Sequence, residues 1–154
     1  MKTPFCLLLT GEPNSGKSTL AYALLQKQLR NCLIIDGDKH REMQFLGKQL
    51  GFSRLDIILN NEHVIKLAKF AMDQGFNVII PQIMPYKEQR KDFKDILDYD
   101  VYDISLRCPK SERSKRLNFR DSELVYELGV PDLEIDTSVY SIDECVDMIL
   151  GMLG

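Results

Sequence analysis

Gly11-Glu12-Pro13-Asn14-Ser15-Gly16-Lys17-Ser18-Thr19 carries the residue types that grip a polyphosphate. Its glycines let backbone N–H groups curl around phosphate oxygens with no Cβ in the way. Lys17 brings a cation to the β/γ-phosphates, and the Ser18 hydroxyl suits Mg²⁺. The pattern is a P-loop, and it is informative when a strand precedes it and a helix follows. Both are expected here, from the apolar run 5–9 and the helically spaced residues 20–29. A helix that starts near Gly16 aims the positive end of its dipole at the same phosphates. Gly11, Asn14, Ser15, Gly16, Lys17, Ser18 and Thr19 are therefore the expected nucleotide-binding residues.

Asp36-Gly37-Asp38-Lys39-His40-Arg41 is the second group, at the end of another apolar run. A carboxylate at such a strand end can sit in a Mg²⁺ shell or accept the proton of an attacking hydroxyl. Gly37 lets the chain bend close to a substrate. Arg41 lies about one helical turn past Asp38 and can pair with a substrate anion. A plainer account makes Asp38 the cap of the next helix, which explains one acid but not both. Lys17, Asp36 and Asp38 are the expected catalytic residues, with Ser18 and Asp36 on the metal.

These loops need a frame. Apolar, partly β-branched runs at 5–10, 32–36, 77–81, 101–107 and 133–136 read as strands buried on both faces. Between them, helices are expected at 17–29, 39–46, 53 to about 74, 86–97, 110–117 and 141–153. Gly75 suits a left-handed helix end. Alternation with right-handed crossovers predicts an α/β, three-layer P-loop NTPase fold: a parallel five-stranded sheet flanked by helices. Ligands of such a fold bind at the carboxyl ends of the strands, where both groups lie.

The chain's 154 residues fit one domain, with a short lid at about 117–132. An apolar fraction of 44% and a charged fraction of 28% are those of a globular protein. No run reaches membrane-spanning length and no signal peptide is apparent, so a cytoplasmic location is expected. A net charge of −3 argues against long nucleic acids as partners. Cys6, Cys32, Cys108 and Cys145 show no C-x-x-C pairing and read as small core residues in a reducing compartment. Neither His40 nor His63 has metal-ligand spacing.

With these motifs in view, the chain resembles the adenylylsulfate kinases, P-loop enzymes that move the ATP γ-phosphate to the ribose 3′-hydroxyl of adenosine 5′-phosphosulfate. The likeness runs almost end to end. It rests on the P-loop, on Asp36-Gly37-Asp38 with Arg41 (D-G-D-x-x-R), and on Leu50-Gly51-Phe52-Ser53 (L-G-F-S). Asp56, Asn60, Ala68, Lys69 and Gly75 fall in register with the family's long helix. Ile83, Pro85, Tyr86, Glu88 and Arg90 match its I-S-P-Y-R-E-D-R, and Asp136-Thr137 its last strand.

The resemblance implies ATP and Mg²⁺ as cofactors and a small nucleotide-like acceptor as partner. It assigns Asp36 to the acceptor hydroxyl, Asp38 to metal or acceptor, and Arg41 to the acceptor phosphate. Phe52 stacks on the acceptor base, Asn60 bonds to the acceptor, and Ile83 and Pro85 line its pocket. Arg116 and Arg120 clamp phosphates from the lid, and Phe119 gives a second stacking face. For residues 113–120 a solvated basic helix is the equal alternative, and Arg90 reads as a solvated helix residue. A homodimer is also implied.

Several residues depart from the family. Ile57 stands where it has an arginine that contacts the phosphosulfate, and Asn61-Glu62-His63 replaces I-R-R. Losing such cations weakens an anion grip, and Ile57→Arg is expected to restore it. Met84 replaces a serine, and the lid is short and lacks the lysine-rich part. The leading expectation is an ATP-dependent phosphotransferase for a nucleotide hydroxyl, with adenylylsulfate as first acceptor. The alternatives are another acceptor, such as cytidine diphosphoramidate or a small alcohol, or a non-catalytic nucleotide-binding module.

Overall fold

A first strand buried on both faces, its side chains alternating between two helical layers, organises the molecule. In the computed structural model, which describes residues 3–27, 29–44, 47–116 and 125–154, β1 (Phe5–Thr10) lies at the centre of a five-stranded sheet. Leu7 and Leu9 face one helical layer, while Cys6 and Leu8 face the other. Around β1 the strand order is β2 (Cys32–Ile34), β3 (Asn77–Pro81), β1, β4 (Asp100–Arg107) and β5 (Leu133–Asp136). Every pair is parallel, as the expected crossovers require.

On one face, α1 (Lys17–Gln26) and α6 (Ile142–Leu153) cover Leu7, Leu9, Ile79, Ile104 and Ile135 with Leu20, Leu24, Val146 and Ile149. On the other, α3 (Arg54–Met72) and α4 (Lys87–Leu97) cover Cys6, Leu8, Val78 and Ile80 with Val64, Ala68, Met72 and Phe93. The short α2 (Gly37–Glu42) and α5 (Lys110–Arg113) sit at the carboxyl ends of β2 and β4. Ser53 starts α3 by accepting from the Asp56 N–H, and Ser141 starts α6 with a full capping box to Glu144.

Several boundaries moved. The second strand stops at Ile34, because the Asp36 side chain accepts the Asp38 and Lys39 N–H groups and starts α2 there. The cap is thus Asp36, not Asp38. α1 ends at Gln26 and α5 at Arg113, and Leu117 lies outside the described residues. All four cysteines are free; Cys6 and Cys145 are buried, Cys32 is partly buried against the core, and Cys108 is partly exposed. Among the described residues no helix is long and apolar enough to cross a membrane.

Candidate functional site: a nucleotide loop beside an acceptor cavity

At the carboxyl end of β1 the chain turns through the P-loop into α1. Gly16 is the N-cap at φ 102, in the left-handed region, and no side chain caps the helix. The first N–H groups of α1 therefore stay available for phosphate oxygens. Lys17 folds back over the loop: its Nζ donates to the Gly11 carbonyl at 3.1 Å and the Glu12 carbonyl at 2.8 Å. Burial pushes its ammonium down to about 8, while Asp38 and Asp36 pull it upward. Neutral carbonyls are poor compensation for a buried cation, so the lysine is primed for anionic oxygens.

The Ser18 hydroxyl donates to Asp36 Oδ2 at 2.9 Å, joining the two sequence groups. The other Asp36 oxygen caps α2. A hydroxyl and a carboxylate held together beside a phosphate loop form a hard-oxygen set of the kind Mg²⁺ takes. Asp38 and Arg41 open on the other side, into a cavity of about 690 Å³ that also meets Lys17, Ser18, Thr19, Phe52 and Ile83. Arg41 Nη1 donates to Asp38 Oδ1 at 2.8 Å, and its guanidinium lies 4.3 Å from the Phe52 ring centroid. Arg41 is buried, and among the described residues its Nε has no hydrogen-bond partner.

The remaining expected residues divide. Ile83 lines the cavity, and Asn14 and Gly16 edge it. Gly11 and Ser15 serve Lys17 from the loop. Pro85 is buried off the cavity wall, where its carbonyl accepts from the Glu127 N–H. Arg116 does not reach the cavity: its guanidinium donates to the Asn14 carbonyl at 2.7 Å and the Thr137 carbonyl at 3.0 Å, bracing the loop from behind. There it borders a second cleft of about 400 Å³, with Thr19, Leu20, Thr137, Tyr140 and Ile142. Phe119 and Arg120 lie outside the described residues.

Asn60 is fully buried and faces inward. Its Nδ2 donates to the Gly37 carbonyl at 3.3 Å, and its Oδ1 meets His40 Nδ1 at 2.6 Å. His40 Nε2 in turn meets His63 Nδ1, and burial followed by the His40 charge holds the His63 imidazole below its ordinary pKa. Asn61 ties α3 to the loop after β3, donating to the Ile83 carbonyl and to Gln89, and accepting from Gln82. The Gln82 amide oxygen presses on Gly37, lying 1.1 Å from where a Cβ would be.

Three expectations are corrected by burial. Ile57 is fully buried and off the cavity wall, so this side chain serves the core rather than the cavity. Arg90 is not solvated: it donates to the Met84 and Glu127 carbonyls and faces Asp103 and the Tyr126 ring. Arg113, expected on a solvated or lid helix, is buried against the P-loop, paired with Glu12 and donating to the Pro13 and Cys108 carbonyls. Sequence gave no sign of these partners, which are distant in the chain. Thr137 was visible only as part of a resemblance; its hydroxyl donates to the Ser15 carbonyl at 2.6 Å.

A parallel sheet in this order, with a lysine-bearing loop after its central strand, defines a P-loop phosphotransferase. Comparison with known proteins narrows the class. The adenylylsulphate kinase family model matches residues 3–129, and the chain belongs to that family of ATP-dependent kinases. It is 33% identical over 169 residues to the adenylyl-sulfate kinase of Pseudomonas entomophila L48, covering 97% of this chain and 80% of that protein. The fold matches an APS kinase of Mycobacterium tuberculosis, solved with AMPPNP and APS, at TM-score 0.86 and 24% identity over 99% of both chains. A hexameric APS kinase of Thiobacillus denitrificans matches at TM-score 0.77 and 28% identity, over 99% of this chain and 29% of that one.

Proposed function

We propose that this kinase, acting as a single domain, transfers the ATP γ-phosphoryl group to a hydroxyl, the ribose 3′-hydroxyl, of a small nucleotide-type acceptor. The observation that carries this is the Ser18–Asp36 bond, which joins the nucleotide loop to a turn whose next acid, Asp38, opens on the same cavity that Lys17, Ser18 and Thr19 line. ATP phosphates lie along the loop and the N-terminus of α1, with Lys17 turned onto them. Its base occupies the cleft beside Thr137 and Tyr140. Ser18 and Asp36 would hold Mg²⁺, which would supply charge neutralisation for the transferring group. Asp38 orients the acceptor hydroxyl and receives its proton, while Arg41 grips the acceptor anion and Phe52 and Ile83 pack against its base.

Adenylylsulfate is the first acceptor on family grounds. A second reading is favoured by a specific observation: among the described residues the acceptor side of the cavity carries one arginine, Arg41, because residue 57 is a core isoleucine, Asn61 is buried against Gln89 and the half-buried His63 meets His40. That suits an acceptor which needs fewer cations around its anion, such as cytidine diphosphoramidate or a small alcohol. The four free thiols fit a reducing cytoplasm. The family resemblance carries a homodimer, to be checked by sedimentation.

Purified protein with Mg-ATP and a panel of acceptors, with product mass determined, tests both readings. Adenylylsulfate gaining one phosphate supports the first. Another acceptor gaining it, with adenylylsulfate unchanged, supports the second. ATP consumption that no acceptor accelerates contradicts both.

A further inference from the structure

The Asp36-Gly37-Asp38 turn is held from below by a chain of side chains that the phosphotransfer roles do not use. The Gly37 carbonyl can only accept, so it fixes the Asn60 amide with Nδ2 towards Gly37 and Oδ1 towards His40. An amide oxygen also only accepts, so His40 Nδ1 carries the proton. That leaves His40 Nε2 against His63 Nδ1, with His63 partly exposed on the outer side of α3. His40 itself is buried on α2, one turn after Asp36, and its backbone N–H donates to the Asp36 carbonyl at 2.9 Å. Gly37 is meanwhile pressed by the Gln82 amide. The turn is thus clamped on two sides by buried polar groups from α3 and the end of β3.

We infer that His40 is a positioning residue for phosphoryl transfer: through Asn60 it fixes the Gly37 carbonyl, and so the placement of the Asp36 and Asp38 carboxylates. Asn60 accordingly supports the turn from beneath. The two nitrogens of His40 have separable jobs. Nδ1 holds Asn60, and Nε2 meets His63. An asparagine at position 40 can place an amide nitrogen near the old Nδ1. A glutamine places its own nearer the old Nε2.

This inference rests on the phosphotransferase reading, so its test has one arm that needs no acceptor. Hydrogen exchange of the Asp38 and Lys39 amides, which donate to Asp36 Oδ1, is followed by NMR in the ligand-free protein. In His40→Gln and His40→Leu these amides should exchange about tenfold faster, whereas His40→Asn should keep them near wild type. In the second arm, with Mg-ATP and the acceptor that wild type uses best, kcat should fall about tenfold in the first two variants. The KM for Mg-ATP should hold, and His40→Asn should rescue the rate. Unchanged exchange in a folded His40→Leu overturns the clamp. Faster exchange with full kcat overturns its role in transfer. If the exchange pattern holds but wild type phosphorylates no acceptor, the clamp stands as a feature of the turn and the transfer role falls with the functional reading.

Discussion

The two halves proposed for the site, one for the phosphoryl donor and one for the acceptor, are built differently. The donor half is one short segment: Gly11 to Thr19 supplies the loop, the lysine, the metal-side hydroxyl and the helix start. Distant residues only brace it, with Arg113 on Glu12 and Arg116 on Asn14. The acceptor half is assembled from α2, residues 49–52 and Ile83 after β3, with histidine and amide side chains of α2 and α3 beneath it. A local motif tolerates change elsewhere in the chain. An assembled wall can be rebuilt by substitutions in its supporting layer, such as those at residues 57 and 61–63.

The largest effect should come from the donor half. Lys17→Ala removes a buried cation aimed at transferring charge, and transfer should fall about a thousandfold or more with the fold retained. Near-normal rate in a folded variant would break the assignment of that half. Ile57→Arg tests the other half. Placing a guanidinium at a fully buried position should cost about 3 kcal/mol in urea unfolding, with no gain in adenylylsulfate kcat/KM. An unperturbed midpoint with improved kcat/KM would show that the side chain does reach the cavity.

Phe52→Ala sharpens the contrast more gently. The ring is half-exposed under Arg41, so acceptor KM should rise about tenfold while stability changes little. An equal rise in ATP KM would mean that the halves are not separate.

The smallest effect is a proton. The folded pKa of Lys17, about 8, lies below its ordinary 10.5, so between those values the unfolded chain binds more protons and ligand-free stability gains as pH rises. Below about 8 the buried charge opposes folding. Nucleotide phosphates favour the charged lysine and raise its pKa again. Calorimetry near pH 8.5, in buffers of different ionisation enthalpy, should therefore show fractional proton uptake on Mg-ATP binding. Release of protons would contradict the burial argument.

Much of this was legible in the sequence, for local reasons. The P-loop, the strand alternation, the caps at Ser53 and Ser141 and the left-handed Gly75 depend on neighbours within a turn. Asp36, Asp38, Arg41, Phe52 and Ile83 came with their spacing or with the family likeness. What was not legible depends on partners far along the chain. Arg90 and Arg113 looked like solvent charges because nothing near them shows that Asp103 and Glu12 wait in the fold. Ile57 looked like a missing cation because a substitution table cannot tell a cavity wall from a core position. His40, Asn60 and His63 meet only when α2 packs on α3.

The most direct test of the division is steady-state kinetics of Arg41→Ala with the best acceptor, reading kcat and the KM for each substrate. Arg41 lines the cavity beside Asp38 and donates to it, whereas the Lys17 ammonium donates to the Gly11 and Glu12 carbonyls of the loop. The acceptor KM should rise by ten- to a hundredfold, roughly the worth of a charge-assisted pair, with the Mg-ATP KM held within about twofold. A Mg-ATP KM that rises in step, with acceptor KM unmoved, would place Arg41 on the donor side and contradict the two-half account.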